Sequence, residues 1–218
     1  MKEILKTLLD IFFPMACINC KREENSLCQD CLAIIDVLDF QCCPFCDFRN
    51  ITPDGKTCKK HEKEKILSGL YAATSLQDHL VKKSIDKFKN KPFLKSLAKP
   101  LASLIISHFE LLGKQFKDFL LIPVPLEKSK LRKRGFNQAE ELTKEISEKL
   151  NIPFTNNVLL KNKEKFLIKN EDKIKDKNIL LVDDFFITGT TMEECATILK
   201  KSGAKEMFGA VIARGISN

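Results

Sequence analysis

Downstream of residue 65 the chain alternates short apolar runs with longer stretches in which apolar positions recur every three or four residues. Ile66, Leu67, Leu70 and Tyr71 predict a first strand. Residues 78–90 place Leu80, Val81, Ile85 and Phe88 at helical spacing among lysines, which predicts a basic amphipathic helix. Pro92 predicts the start of a second helix carrying Leu94, Leu97, Ala98, Leu101, Leu104, Ile105 and Phe109. Gly113 ends it, and Pro100 is expected to kink it. The run DFLLIPV at 118–124 has strand length. A basic loop follows it, then a helix over about 138–150 with Ala139, Leu142 and Ile146 on one side. Residues 179–182, ILLV, predict a strand buried on both faces. A helix over 191–202, stopped by Gly203, and a last strand EMFGAVIA complete the pattern. Apolar strands alternating with helices predict an α/β fold whose parallel sheet is covered on both faces.

The first 65 residues follow a different rule. Ile4, Leu5, Leu8, Leu9 and Phe12 predict a short amphipathic helix, and Lys6 and Asp10 interrupt what would otherwise read as the core of an export signal. No run approaches the roughly 18 apolar residues of a membrane span, so membrane insertion is not expected. Beyond this helix the cysteines take over. Eight of nine precede residue 59, as Cys17-x2-Cys20, Cys28-x2-Cys31 and Cys43-x2-Cys46, with Cys42 beside the last pair; Cys58-x2-His61 adds a fourth knuckle. Two thiolates so spaced bend round one ion, and two knuckles supply four tetrahedral ligands. Sequential pairing gives Cys17, Cys20, Cys28 and Cys31 for one structural zinc and Cys43, Cys46, Cys58 and His61 for a second. Interleaved pairing satisfies the same spacing, and a second site of three ligands without His61 is the alternative to a full set. A disulfide framework is the rival reading, but a chain without an export signal points to the reducing cytoplasm, where thiols persist. So polar a segment would draw its folding free energy from the metal. Cys195, in the 191–202 helix, reads as a buried small hydrophobe.

Composition narrows the class. With 218 residues, 44% hydrophobic and 30% charged, the chain is neither disordered nor fibrous. Its net charge of +8 favours anionic partners.

The richest segment is NILLVDDFFITGTTMEE, which joins a buried strand to two acids and a small polar turn opening a helix. Ligands of open α/β sheets bind beyond the carboxyl ends of strands, where the following helix offers free N–H groups and a positive dipole end. Ile187, Thr188, Gly189, Thr190 and Thr191 form a phosphate cradle on this reading. Asp183 and Asp184 are expected to accept hydrogen bonds from sugar hydroxyls, and at least one of them to touch magnesium, directly or through water. A nucleotide P-loop is excluded because G-x-x-x-x-G-K-[ST] is absent, and the 34 residues after Asp184 are too few for a receiver domain. Upstream, the stretch after Pro125 gathers Lys130, Arg132, Lys133, Arg134 and Asn137, suited to a pyrophosphate group. A solvated loop is the bland alternative.

The strand, acidic pair and Thr/Gly turn resemble the type I phosphoribosyltransferases, whose corresponding loop binds phosphoribosyl pyrophosphate; Phe185 stands where a smaller aliphatic is usual there, and Ile187 where a small or hydroxylated residue is common. Together the knuckles, IPVPL, RKRGFNQAEEL, NILLVDDFFITGTT and a terminal ARG resemble the ComF family of competence proteins over nearly the full length. The resemblance implies a helix and zinc-ribbon module over 1–65 and a phosphoribosyltransferase-like domain over 66–218. It further implies phosphoribosyl pyrophosphate with Mg2+ as ligand, and work in the cytoplasm during natural transformation. Incoming single-stranded DNA and a helicase-type ATPase would be the partners. DNA contact has separate support in Lys82, Lys83, Lys87, Lys89 and Lys91. With no Trp and one Tyr, base stacking would fall to phenylalanines. No arginine occurs between Arg134 and Arg214, which weakens any acceptor-side role, and no general base stands out. A working transferase and a zinc-ribbon adaptor with a relic domain are the competing functions.

Overall fold

The computed structural model describes residues 16–23, 25–46, 50–163 and 165–215. The helix expected over residues 4–12 lies outside them. In chain order the elements are α1 (Gln29–Ala33), β1 (Gly69–Ser75), α2 (His79–Lys89), α3 (Ala98–Leu111), β2 (Phe119–Pro123), α4 (Lys128–Arg134), α5 (Gln138–Leu150), β3 (Leu159–Asn162), β4 (Lys165–Ile168), β5 (Asn178–Phe186), α6 (Thr190–Lys201) and β6 (Met207–Arg214).

Four strands form one parallel sheet in the order β1-β6-β5-β2, and β3 and β4 make a separate antiparallel hairpin. The apolar runs have a direct cause. Side chains alternate between faces of a strand. In β5, Leu180 and Val182 enter one core with α2, α3 and α5, while Ile179 and Leu181 enter a second with α6 and the hairpin. Phe208 and Met207 of β6, and Tyr71 and Leu70 of β1, divide the same way. A strand covered on both faces has no solvent side to mark with polar residues, so it reads as continuous hydrophobicity.

The cysteine-rich segment is joined to this sheet. Cys17, Ile18, Cys28, Cys31 and Ile35 belong to the α3-side core, whereas Phe45 packs against the α6-side core. Between them, Leu38 N–H donates to Ala73 O of β1 at 2.8 Å and Lys56 bridges Gly69. The segment thus runs past the β1 edge and reaches both faces.

Several boundaries differ from expectation. Helix α3 starts at Ala98; the Lys91–Pro92 peptide is cis, and a 3-10 turn over Lys95–Leu97 precedes the helix. Pro100 therefore sits in the first turn, where its missing N–H has no helical partner to lose. The basic loop contains helix α4, closed by Gly135 at φ +85°. Strand β5 continues beyond Val182 to Phe186, so both aspartates lie within it. The β3–β4 hairpin is additional.

Candidate functional site

At the carboxyl end of β5 a cleft of about 450 Å3 opens between α2, α4, α5, the hairpin and the turn leading to α6. The turn is built on Gly189, whose φ of +78° caps α6. A methyl group at this position would lie 2.5 Å from Phe186 Cζ and 3.1 Å from Phe45 Cε1, so glycine is required by both conformation and space. The Thr188 and Thr190 hydroxyls stand 3.0 Å apart, and the first-turn amides of α6 lack carbonyls one turn back. Such a terminus favours an anion.

The two acids differ. Asp184 is buried, its side chain 6% exposed, and both its oxygens meet Lys89 Nζ, Oδ1 at 3.2 Å and Oδ2 at 3.1 Å. Its Oδ1 also accepts from Phe185 N–H at 2.9 Å. Asp183 has no such cation among the described residues; its Oδ1 accepts from Asp184 N–H at 2.9 Å. Burial and, secondarily, the charge of Asp184 push its carboxyl up to about 8, partly offset by Lys89 and by Lys161 of the hairpin.

Every residue expected in the cradle borders this cleft: Asp183, Asp184, Ile187, Thr188, Gly189, Thr190 and Thr191. Lys130, Arg134 and Asn137 border it too; Arg132 and Lys133 do not. Asn137 is committed to structure, accepting from Ala139 N–H as the α5 cap and donating to Val124 O at 3.0 Å. The RGFNQ sequence thereby acquires a physical meaning. Gly135 ends α4, Phe136 stacks on Phe88 with centroids 5.5 Å apart, and Gln138 donates to Phe88 O at 3.0 Å while accepting from Arg134 Nη1. Burial lowers the Arg134 pKa, and the charge of Asp184 opposes that shift. Gln138 and Lys161 were not singled out in the sequence; Gln138 was at least inside a recognisable motif.

Of the lysines expected to meet DNA, Lys82, Lys83, Lys87 and Lys91 line a separate depression on α2 with His79, Asp86 and Asn90. Lys89 faces the cleft instead. Cys195 is fully buried in α6, and burial pushes its thiol up, as suits a packing residue.

The metal-ligand residues assemble in sequential order. The ligand atoms of Cys17, Cys20, Cys28 and Cys31 lie within 4.8 Å of one another, as do those of Cys43, Cys46, Cys58 and His61. Tetrahedral coordination with about 2.3 Å bonds to sulfur and about 2.0–2.1 Å bonds to nitrogen sets S–S edges near ~3.8 Å and S–N edges near ~3.6 Å. Cys20–Cys28 at 3.6 Å, Cys46–Cys58 at 3.7 Å and the 3.5–3.6 Å distances from His61 Nδ1 to three sulfurs fit that shape. Asn50 Nδ2 donates to Cys46 Sγ at 3.0 Å and Cys58 N–H to Cys43 Sγ at 3.4 Å, as thiolates require. Each group could hold one metal ion. Among the described residues no disulfide joins the cysteines.

The second group is fastened to the cleft. Buried Arg214, at the end of β6, donates to Cys42 Sγ at 2.7 Å, to Pro44 O at 3.0 Å and to Cys46 O. Phe45 meets Phe186 edge-on at 6.1 Å and His61 at 5.9 Å.

A parallel sheet whose acidic strand end meets a Thr/Gly turn defines a protein class, and the family comparison agrees: residues 92–218, more than half the chain, match the phosphoribosyl transferase domain, and the chain belongs to that family. Strand β1 and helix α2, although part of the same sheet and cleft, precede the matched region. Over most of its length the chain is similar to Competence protein ComFC of Streptococcus pneumoniae, with 25% identity across 86% of this chain and 87% of that protein. Competence protein F of Haemophilus influenzae is 24% identical, covering 90% and 95%, and Competence protein ComFC of Bacillus subtilis is 23% identical, covering 84% and 81%. Among the described residues no helix is long and apolar enough to cross a membrane.

Proposed function

We propose that this chain is a cytoplasmic competence factor that binds phosphoribosyl pyrophosphate in the cleft and handles incoming single-stranded DNA during natural transformation. The observation that carries the ligand is convergence: the acidic pair, the Thr188–Thr191 turn and the cations Lys130 and Arg134 all border one cavity of about 450 Å3. The 5′-phosphate would lie on the turn, accepting from its amides and hydroxyls. The ring hydroxyls would donate to the carboxylates, and the pyrophosphate would lie on Lys130 and Arg134. Magnesium would arrive on the pyrophosphate oxygens, with Asp183 as the carboxylate open to it. Zinc suits both ligand groups, since thiolate-rich tetrahedral sets select it and a full set of four leaves no open position, which gives the ions a structural role. The competence role comes from the relatives' names, and DNA contact is supported by the lysine-lined depression of α2. A helicase-type ATPase would be the partner on the same grounds of resemblance.

A second reading, a transferase acting on an unidentified acceptor, is favoured by Lys130 and Arg134, which would stabilise a departing pyrophosphate. Titrating phosphoribosyl pyrophosphate by calorimetry with and without Mg2+, while monitoring pyrophosphate, tests both. Saturable binding without turnover, weakened in Asp183→Asn, supports the competence factor. Release of pyrophosphate with an added base, amine or DNA supports the transferase. No binding by the wild-type chain refutes the sugar-phosphate site and leaves only a metal-containing adaptor.

A further inference from the structure

The magnesium expected at the acidic pair meets an obstacle at Asp184. A divalent ion there needs carboxylate oxygens at about 2.0–2.1 Å with near-ideal octahedral room. Both Asp184 oxygens already face one ammonium, that of Lys89, at 3.1 and 3.2 Å, and Oδ1 also accepts the Phe185 amide at 2.9 Å. A divalent ion bound by both oxygens would have to displace that ammonium.

Lys89 is held in place from several sides. It occupies the last turn of α2, where outward carbonyls favour a cation. Its ammonium lies 3.9 Å from the centroid of the Phe185 ring. The end of α2 is clamped by the Gln138 bond to Phe88 O and by the stacking of Phe88 on Phe136. Lys89 also borders the cleft, unlike the other lysines of its helix. Among the described residues Asp183, by contrast, has only a backbone amide hydrogen-bonded to its carboxylate.

We propose that Lys89 is the resident counter-cation of Asp184, so that this acidic pair holds a ribose phosphate without a divalent ion bridging Asp184, and magnesium enters only with a pyrophosphate group. The inference rests on the sugar-phosphate reading above and divides labour within the pair. Asp184 positions the strand end through Lys89 and Phe185, and Asp183 is the acid that meets the ligand.

Ribose 5-phosphate is the probe, because it lacks the pyrophosphate that would chelate magnesium by itself. Calorimetric titration of the full, metal-loaded chain in Mg2+-free buffer and again with excess MgCl2 is expected to give wild-type affinities within about twofold of each other. Lys89→Met should lose about tenfold or more without Mg2+ and recover when it is added, while Lys89→Arg should behave as wild type. A wild-type affinity that depends strongly on Mg2+ overturns the proposal without recourse to any variant, and so does Lys89→Met binding that matches wild type in both buffers. Failure of wild type to bind ribose 5-phosphate and phosphoribosyl pyrophosphate in either buffer removes the sugar-phosphate reading itself, and this inference with it.

Discussion

Replacing Gly189 by alanine tests whether the turn is a cradle whose shape depends on close packing beneath it. Two costs add. An L-residue at φ +78° costs roughly 1–2 kcal/mol of backbone strain. The new methyl, 2.5 Å from Phe186 Cζ and 3.1 Å from Phe45 Cε1, must push one ring into the other, and such overpacking costs about 1–3 kcal/mol. The sum, about 2–5 kcal/mol, corresponds to a fall in Tm of roughly 4–20 °C for a chain of this size. Gly113 supplies the control. Its φ is +62°, yet a methyl there would meet nothing within 4 Å, so Gly113→Ala carries the strain alone. The difference between the variants isolates the close approach. Differential scanning fluorimetry gives the stability, and ribose 5-phosphate calorimetry gives the site. Gly189→Ala should lose about tenfold or more in affinity, because the displaced amides cost at least ~1.4 kcal/mol of binding, and Gly113→Ala should lose none. Equal Tm shifts with unchanged affinity would refute the account of the turn.

Other perturbations address the remaining parts. Cys58→Ser should lower the bound metal from two ions per chain to one by mass spectrometry of the native protein, and should raise amide exchange at 188–191, which Phe45 supports; unchanged exchange would separate the metal group from the turn. Gln138→Ala strands the buried Phe88 carbonyl and deprives Arg134 of its acceptor, costing about 1–3 kcal/mol in urea unfolding and weakening pyrophosphate binding. Wild-type stability in that variant would discount the RGFNQ network. His108 is fully buried, and burial lowers its pKa below the ordinary 6.5, opposed by its hydrogen bond to Leu38 O. The unfolded chain therefore takes up its proton first, and stability should fall as pH drops below about 6.5, by at most ~1.4 kcal/mol per pH unit. Urea titrations of His108→Gln should show a flatter profile by that proton; an identical slope would assign the acid sensitivity elsewhere.

How much the sequence discloses depends on the range of the interaction. Strands β2, β5 and β6 and helices α2, α5 and α6 were legible because burial on one or two faces writes a local period. The cysteine knuckles were legible because metal ligation imposes a local spacing, and only their assembly in sequential order needed the fold. The β3–β4 hairpin was not legible: its four-residue strands put Leu160 and Leu167 on the outer face and Lys161 beside Phe166 on the inner one, which erases the alternation. The Lys89–Asp184 pair joins positions 95 residues apart, and no periodicity reports it. The same lysine counted among a basic face by composition, although its neighbours Lys87 and Lys91 open on a different depression.

The attachment of the second metal group bears on how the domain and the module act together. Arg214 pairs with Phe186 across the β5–β6 register, so its guanidinium extends from the strand end that leads into the Thr188–Thr191 turn. That guanidinium donates to three acceptors in the Cys42–Cys46 loop, and truncating it would strand two buried or half-buried carbonyls at about 1–3 kcal/mol each. From the other side, Glu193 in the first turn of α6 accepts from the amides of Ile66 and Leu67, the segment linking the module to β1. Phe45 fills the space beneath Gly189. Two sets of contacts thus join the cysteine-rich segment to the end of β5 and the start of α6: Arg214 and the Phe45 ring at the Cys42–Cys46 loop, and Glu193 at the Ile66 and Leu67 amides. A module tethered only by a linker would need none of them. If the proposed phosphate site and metal are both present, the Cys43–His61 group walls the Thr188–Thr191 turn, and loss of the ion should be felt first there rather than in the β5–β6 core.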